Sequence, residues 1–234
     1  MTQNRRRSST TLRRAGLSRE RVLGAAIALA DEGGLEELSM RKLAKTLGVE
    51  AMSLYNHISN KEHLLDGMVD VVFTEIEPPA ADGDWKREMR QRAVSTRAAL
   101  NRHPWAVGLM EARPKPGPAN LQLHEAVLAC LRQAGFSVEM AIHAYSVQDA
   151  YIYGFALQQR TLSHETREEW MEVAKRLLRE HAAVLDSYPH SAEVQRHIAA
   201  RGFSHDDEFL FGFDLILDGL EARLAAERAT GTDS

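Results

Sequence analysis

Residues 40–61, MRKLAKTLGVEAMSLYNHISNK, decide how the rest of the chain is read. Met40, Leu43, Ala44 and Leu47 recur at i, i+3, i+4 and i+7, which makes one apolar face of a helix. Ser39 stands where a hydroxyl caps the first free backbone N–H groups, and Gly48 stands where a left-handed backbone ends a helix. A second helix starts near Glu50, whose charge suits a helix N-terminus, with Leu54 and Ile58 as its inward pair. That leaves Ala51, Met52, Ser53, Tyr55, Asn56 and His57 mostly outward. Asn60 then caps a further helix that opens with Lys61. Two short helices joined by a tight turn, the second loaded with groups that bond to DNA, are the sequence form of a helix-turn-helix. Ser and Tyr hydroxyls suit phosphates, while Asn and apolar side chains suit base edges. The plainer alternative is a solvated helical hairpin, which gives no reason to expose Met52, Tyr55 and Asn56 together.

Upstream, Val22, Leu23, Ala26, Ile27 and Ala30 form one stripe behind a cap at Ser18, and Gly33-Gly34 ends that helix. Leu35 and Leu38 pack in the connection. With this third helix, residues 18–65 resemble the DNA-binding domain of the TetR family of bacterial transcription regulators. The matching elements are the alanine-rich first helix, GGLEELSMRKLAKTLGVE, the helix centred on SLYNHI, and NKEHLL. The resemblance extends further: QAGFSVEMAIHAYS (133–146) and FLFGFDLILDGLEARL (209–224) are similar to the ligand-binding domain of tetracycline repressors. An all-α fold follows from it: residues 1–17 as a basic flexible arm, 18–63 as the helix-turn-helix domain, and 64–234 as a helical ligand-binding and dimerisation domain.

Composition agrees. The 234 residues suffice for one small and one larger domain, and aromatics make up only 6%. No alternating strand pattern of useful length occurs. The single cysteine, Cys130, excludes an internal disulfide and fits a reducing cytoplasm; in its apolar helix it reads as a small core residue rather than a nucleophile. No apolar run reaches the roughly 18 residues of a membrane span, and the polar, arginine-rich start lacks the apolar segment of a secretory signal. A cytoplasmic location is therefore expected. The net charge of −4 is unevenly divided: residues 1–61 hold 11 basic and 6 acidic residues, and residues 62–234 hold 18 and 27. The basic end is the DNA end. Arg5, Arg6, Arg7, Arg13 and Arg14 sit in a Ser/Thr-rich tail that either lies along phosphates or in a minor groove, or adds only general attraction.

The remainder reads as helices with punctuation. One runs from Lys61 to about Ile76 and stops before Pro78-Pro79; another from Trp85 stops before Pro104. Further helices cover Trp105–Ala112, about Asn120 to Ala134, Ser137-capped residues to about Gln159, about Glu165 to Ser187, about Ala192 to Arg201, and about Asp206 to Arg228. In the last, Phe209, Phe213, Ile216, Leu217, Leu220 and Leu224 form a wide stripe, offered as the dimer interface. Gly212 and Gly219 are seven apart and would admit a partner helix, since Gly within a helix costs about 1 kcal/mol and calls for a packing reason. The alternative is that this helix is central to its own domain. The resemblance implies a homodimer, paired through this helix and the one at about 138–159, on a palindromic double-stranded DNA operator.

The resemblance also carries contacts over by position. Arg41 falls on a base-contacting arginine, and Ser53, Tyr55 and Lys61 on phosphate contacts. Ala51, Met52 and Asn56 occupy base-reading positions but differ in type, so the operator differs too; His57 is a phosphate or base-edge partner, or else a helix-end hydrogen bonder. For a small-molecule effector, the position of the repressors' metal-binding histidine holds Leu109, so neither metal nor cofactor is expected. The lining expected is Arg92, Thr96, Trp105, Leu109, Met110, Arg113, Val127, Ile142, Tyr145 and Asp149, each of which has core packing or surface as its ordinary alternative. His205-Asp206-Asp207 is the densest acidic and histidine cluster, but neither HExxH nor paired-Cys spacing occurs, so an enzyme is not expected. The function implied is a ligand-responsive repressor released from DNA by its effector; the alternatives are an activator or a regulator without an effector.

Overall fold

The computed structural model describes residues 16–112, 115–160 and 166–231, and these form twelve helices. The chain divides between Met68 and Val69 into two compact units. The arginines of the N-terminal tail, and Arg113, lie outside the described residues.

In the first unit, α1 (Arg19–Gly33) packs on α2 (Met40–Leu47), and α2 on α3 (Ala51–Leu54). The caps are local and come from the expected residues. Ser18 accepts from Arg21 N at 3.3 Å and Ser39 from Lys42 N at 3.2 Å. Gly48 is left-handed at φ 66°, and its N–H closes α2 on Ala44 and Lys45. Asn60 Oδ1 accepts from His63 N at 2.8 Å and so caps α4 (Lys61–Thr74). Val22, Leu23, Ala26, Leu38, Leu43, Leu54 and Ile58 are all buried and make the core of this unit. The recognition segment is shorter than its pattern suggests: α3 has one helical turn and residues 55–57 continue as a turn.

The second unit is a helical bundle. It contains α5 (Trp85–Arg102), α6 (Ala106–Ala112), α7 (Pro118–Gln133), α8 (Val138–Arg160), α9 (Arg167–Glu180), α10 (Ala182–Leu185), α11 (Pro189–Arg201) and α12 (His205–Gly231). The helix expected across 165–187 breaks at His181 into α9 and α10. Helix α8 is the spine, packing on α5, α7 and α12, while α9 and α11 pair chiefly with each other. Cys130 is buried, and its thiol is pushed up to about 11 by burial, with Glu88 and Asp84 adding to the effect.

One cap comes from far away in sequence. Helix α7 starts with Gly117 as its cap residue and Pro118 behind it, so it has neither a capping side chain nor an N–H at its first position. Asp70 of α4 supplies the missing oxygen: its Oδ1 accepts from Ala119 N at 2.9 Å and Asn120 N at 3.4 Å.

The stripe offered as the dimer interface is spent inside the protomer. Phe209, Phe213, Leu217, Leu220 and Leu224 are buried there, with Ile216 half-buried. Tyr151 of α8 stacks on Phe209 and places its hydroxyl 3.1 Å from the Phe209 carbonyl. A side chain on Gly212 would overlap that tyrosine ring, so Gly212 serves contact within the protomer, whereas around Gly219 the space is open. The stripe faces inward because α12 is apolar on two sides, and the wider side goes to the core. Phe211 and Leu215, on the other side, are 65% and 57% exposed.

Candidate nucleic-acid interface and internal polar site

On the first unit, Leu54 and Ile58 anchor the recognition segment by their burial, which forces the intervening side chains outward. Met52 is 75% exposed and Tyr55 44%, and Asn56 is exposed beside them. Ala51, Ser53 and His57 are half-buried at the flanks, so their reach is shorter. Arg41, in the first turn of α2, and Lys61, at the start of α4, are exposed. The result is a protruding apolar and amide centre, Met52 and Asn56, flanked by hydroxyls and two cations. Such a centre can meet base edges while the flanks meet phosphates.

On the second unit, the side chains expected to line an effector site separate into three groups. Arg92, Thr96, Tyr145 and Asp149 come together. Arg92 Nη2 donates to Asp149 Oδ1 at 2.9 Å, Thr96 Oγ1 donates to the Arg92 carbonyl at 2.8 Å, and the Arg92 guanidinium lies 5.8 Å from the centre of the Tyr145 ring. Trp105 and Val127 are buried and Leu109 and Met110 half-buried on α6, α7 and the turn before α6. Ile142 does not belong with them: it is 56% exposed. On α8 the inward face runs through Ala141, Ala144, Gln148, Asp149 and Ile152, and Ile142 lies off it.

Two residues of this polar group were not legible in advance. Gln148 is fully buried beside Asp149, and both its amide oxygen and its amide nitrogen lack a hydrogen-bond partner; Arg92 Nε lacks one too. His124 of α7 packs edge-to-face on Tyr145 with ring centres 4.6 Å apart. A glutamine inside a helix reads as surface, and only its place on the inward face of α8 would have flagged it. Unsatisfied buried amides are costly, and they mark a place where a ligand or water supplies the missing partners. The Arg92–Asp149 pair balances its own charge, so the site offers hydrogen bonds rather than a net charge. Among the described residues, no group of three or more His, Cys, Asp and Glu side chains converges as a metal ion requires.

Comparison with known proteins bears on both units. Residues 22–68 match the family described as bacterial regulatory proteins, tetR family, and residues 77–224 match the tetracyclin repressor-like C-terminal domain. The chain is 34% identical over 220 residues to the HTH-type transcriptional repressor DrrR1 of Streptomyces coeruleorubidus, covering 91% of this chain and 80% of that protein. It is 31% identical over 207 residues to the tetracycline repressor protein class E of Escherichia coli, covering 87% and 94%. Among solved structures, Streptomyces coelicolor ActR in complex with actinorhodin is similar with a TM-score of 0.72 at 27% identity, covering 90% of this chain and 99% of that one.

Proposed function

Because the chain belongs to the TetR family of DNA-binding transcriptional regulators, which are not enzymes, we infer that it is an effector-released repressor acting as a homodimer on a two-fold symmetric operator. The observation that carries this reading is the exposure of Met52, Tyr55 and Asn56 around the buried anchors Leu54 and Ile58.

The pairing surface in this reading is the outward side of α8 and α12. Phe211, Leu215, Gly219, Ala222 and Ala226 follow one another along α12 at helical spacing, all exposed. Beside them an open groove of about 600 Å³ is lined by Met140, His143, Ser146 and Val147 of α8 with Leu220 and Arg223 of α12. Apolar and small side chains in such a run are what close helix approach requires.

The effector sits at the Arg92, Gln148, Asp149 and Tyr145 group and satisfies the orphaned amide of Gln148. With Arg92 already paired, an anionic effector is not required; a molecule with hydrogen-bonding groups and a flat face for Tyr145 suits the site. Coupling runs through α4, whose sequence crosses from one unit into the other and whose Asp70 caps α7. An effector that binds more tightly when α7 and α8 are repositioned shifts the population away from the DNA-competent state, by no more than that difference in affinity.

The test is selection of bound duplexes from a random pool at moderate salt with the full-length chain. A two-fold symmetric consensus supports the reading and supplies a probe for effector release. Binding that enriches no sequence and vanishes as salt rises is the non-specific electrostatic term alone and refutes it.

A further inference from the structure

A second cavity, of about 390 Å³, lies between α8, α9, α11 and the start of α12, and shares no residue with the Arg92 group. Four of its lining residues carry rings, and Gln158, Gln159 and Ile198 complete the walls with Glu208. Trp170 meets Phe203 at 5.4 Å and 69°, and His205 meets Phe203 at 5.0 Å and 86° and Trp170 at 5.6 Å and 70°. Rings set nearly perpendicular to one another present faces as well as edges to the space between them, and aromatic faces carry negative potential. Phe155 forms a further wall, and Glu208 is the one charged lining residue among the described residues. The Arg97 guanidinium stacks over Phe155 and Phe209 at 5.3 and 4.9 Å without lining the cavity, and its charge is held by Asp206 at 2.8 Å.

We propose that this cavity is a second ligand site, separate from the effector site, for an organic cation with a flat aromatic body. Such a ligand stacks on the face of Trp170 and meets Phe203 edge-on, and its charge faces the rings and the Glu208 carboxylate. A cation held on aromatic faces away from water gains more than one on an exposed ring. An anion would meet the same carboxylate and faces with the wrong sign. Burial, and then the charge of Arg97, lower the pKa of His205, so the imidazole adds no competing positive charge at neutral pH. Its Nε2 is buried without a hydrogen-bond partner, a polar atom left unsatisfied at the wall. The volume falls in the range of small-molecule sites, roughly 300–1,000 Å³.

The test is calorimetric titration of the full-length protein with N-methylquinolinium, alongside its neutral isostere methylnaphthalene and the anion naphthoate. The expected result is binding of the cation about tenfold tighter than the neutral ring, with the anion weakest. Trp170→Leu lowers cation affinity about tenfold, and Glu208→Gln several-fold, without loosening the fold because that side chain is exposed. Thr96→Val, at the other site, leaves it unchanged. No measurable cation binding, equal affinity for the neutral ring, or indifference to Glu208→Gln overturns the proposal. So does a loss of cation binding in Thr96→Val, which places the ligand elsewhere. DNA selection reads none of these quantities, so either reading can fail without the other.

Discussion

Asp70 occupies the space that a side chain at Gly117 would need. A Cβ there would overlap the same Oδ1 that caps Ala119, while the backbone at Gly117, with φ −76°, would accept any residue. The glycine is therefore required by its neighbour rather than by its own conformation.

Gly117→Ala should displace Asp70 and cost about 1–2 kcal/mol, the value of a lost cap. Asp70→Ala should cost a similar amount, and the double variant little more than either alone, because both remove one interaction. Urea midpoints of the four proteins check this; additive losses would mean that the two residues act independently.

The buried pair of Arg92 and Asp149 predicts an asymmetric response. Asp149→Asn leaves a buried guanidinium without its counter-charge and should cost about 3–5 kcal/mol, whereas Arg92→Met with Asp149→Leu should cost much less. Equal destabilisation in chemical unfolding would show that the pair matters for packing alone.

Position on the recognition face separates two kinds of DNA contact. Tyr55→Phe and Lys61→Ala should weaken binding to all duplexes alike, and Arg41→Ala should relax sequence preference by about 1–3 kcal/mol at one base pair. Equal losses for Arg41→Ala on selected and random DNA would remove it from base reading. The tail contributes separately: residues 16–61 hold six basic and six acidic residues, so the five arginines of the tail supply all the positive surplus of the first 61 residues. Deleting residues 1–15 should flatten the salt dependence by about 0.9 for each arginine that lies on a phosphate.

Glu75 gives a pH signature. Burial raises its pKa, but Arg102 at 2.6 Å and His103 at 3.1 Å outweigh burial and hold it below its ordinary value of 4.5. The unfolded chain thus binds the proton more readily. The stabilisation is present above the ordinary value and is lost as pH falls through the depressed folded one. Glu75→Gln should be less stable than the parent at pH 7, with the gap closing as the pH falls below the ordinary carboxylate range. A gap constant across a urea series from neutral to acid pH would contradict it.

The outward side of α12 predicts assembly. Leu215→Arg or Phe211→Glu should yield a folded monomer by sedimentation, since both side chains are exposed in the protomer. A dimer of unchanged strength would move the pairing surface elsewhere.

The sequence made some of these features legible and hid others for physical reasons. Caps at Ser18, Ser39, Gly48 and Asn60 depend on neighbours within a few residues, so the chain declares them locally. The burial of Leu54 and Ile58 follows from helical spacing. The side of α12 that faces its own core does not: Phe209 and Phe213 compete with Phe211 and Leu215, and periodicity alone does not rank two apolar faces. Partnerships across 57 residues, as for Arg92 with Asp149, or 49, as for Asp70 with Ala119, have no local signature. Ile142 turns outward because adjacent positions on α8 differ by about 100° in direction.

The state of Cys130 has a practical meaning for experiments. A thiol enclosed in the core and with its pKa pushed up to about 11 offers almost no thiolate to alkylating reagents at neutral pH. The native chain therefore behaves towards maleimides as a cysteine-free protein. A single cysteine placed at an exposed position such as Leu157 would be the sole labelled site, ready for a spin label or dye that reports on α8.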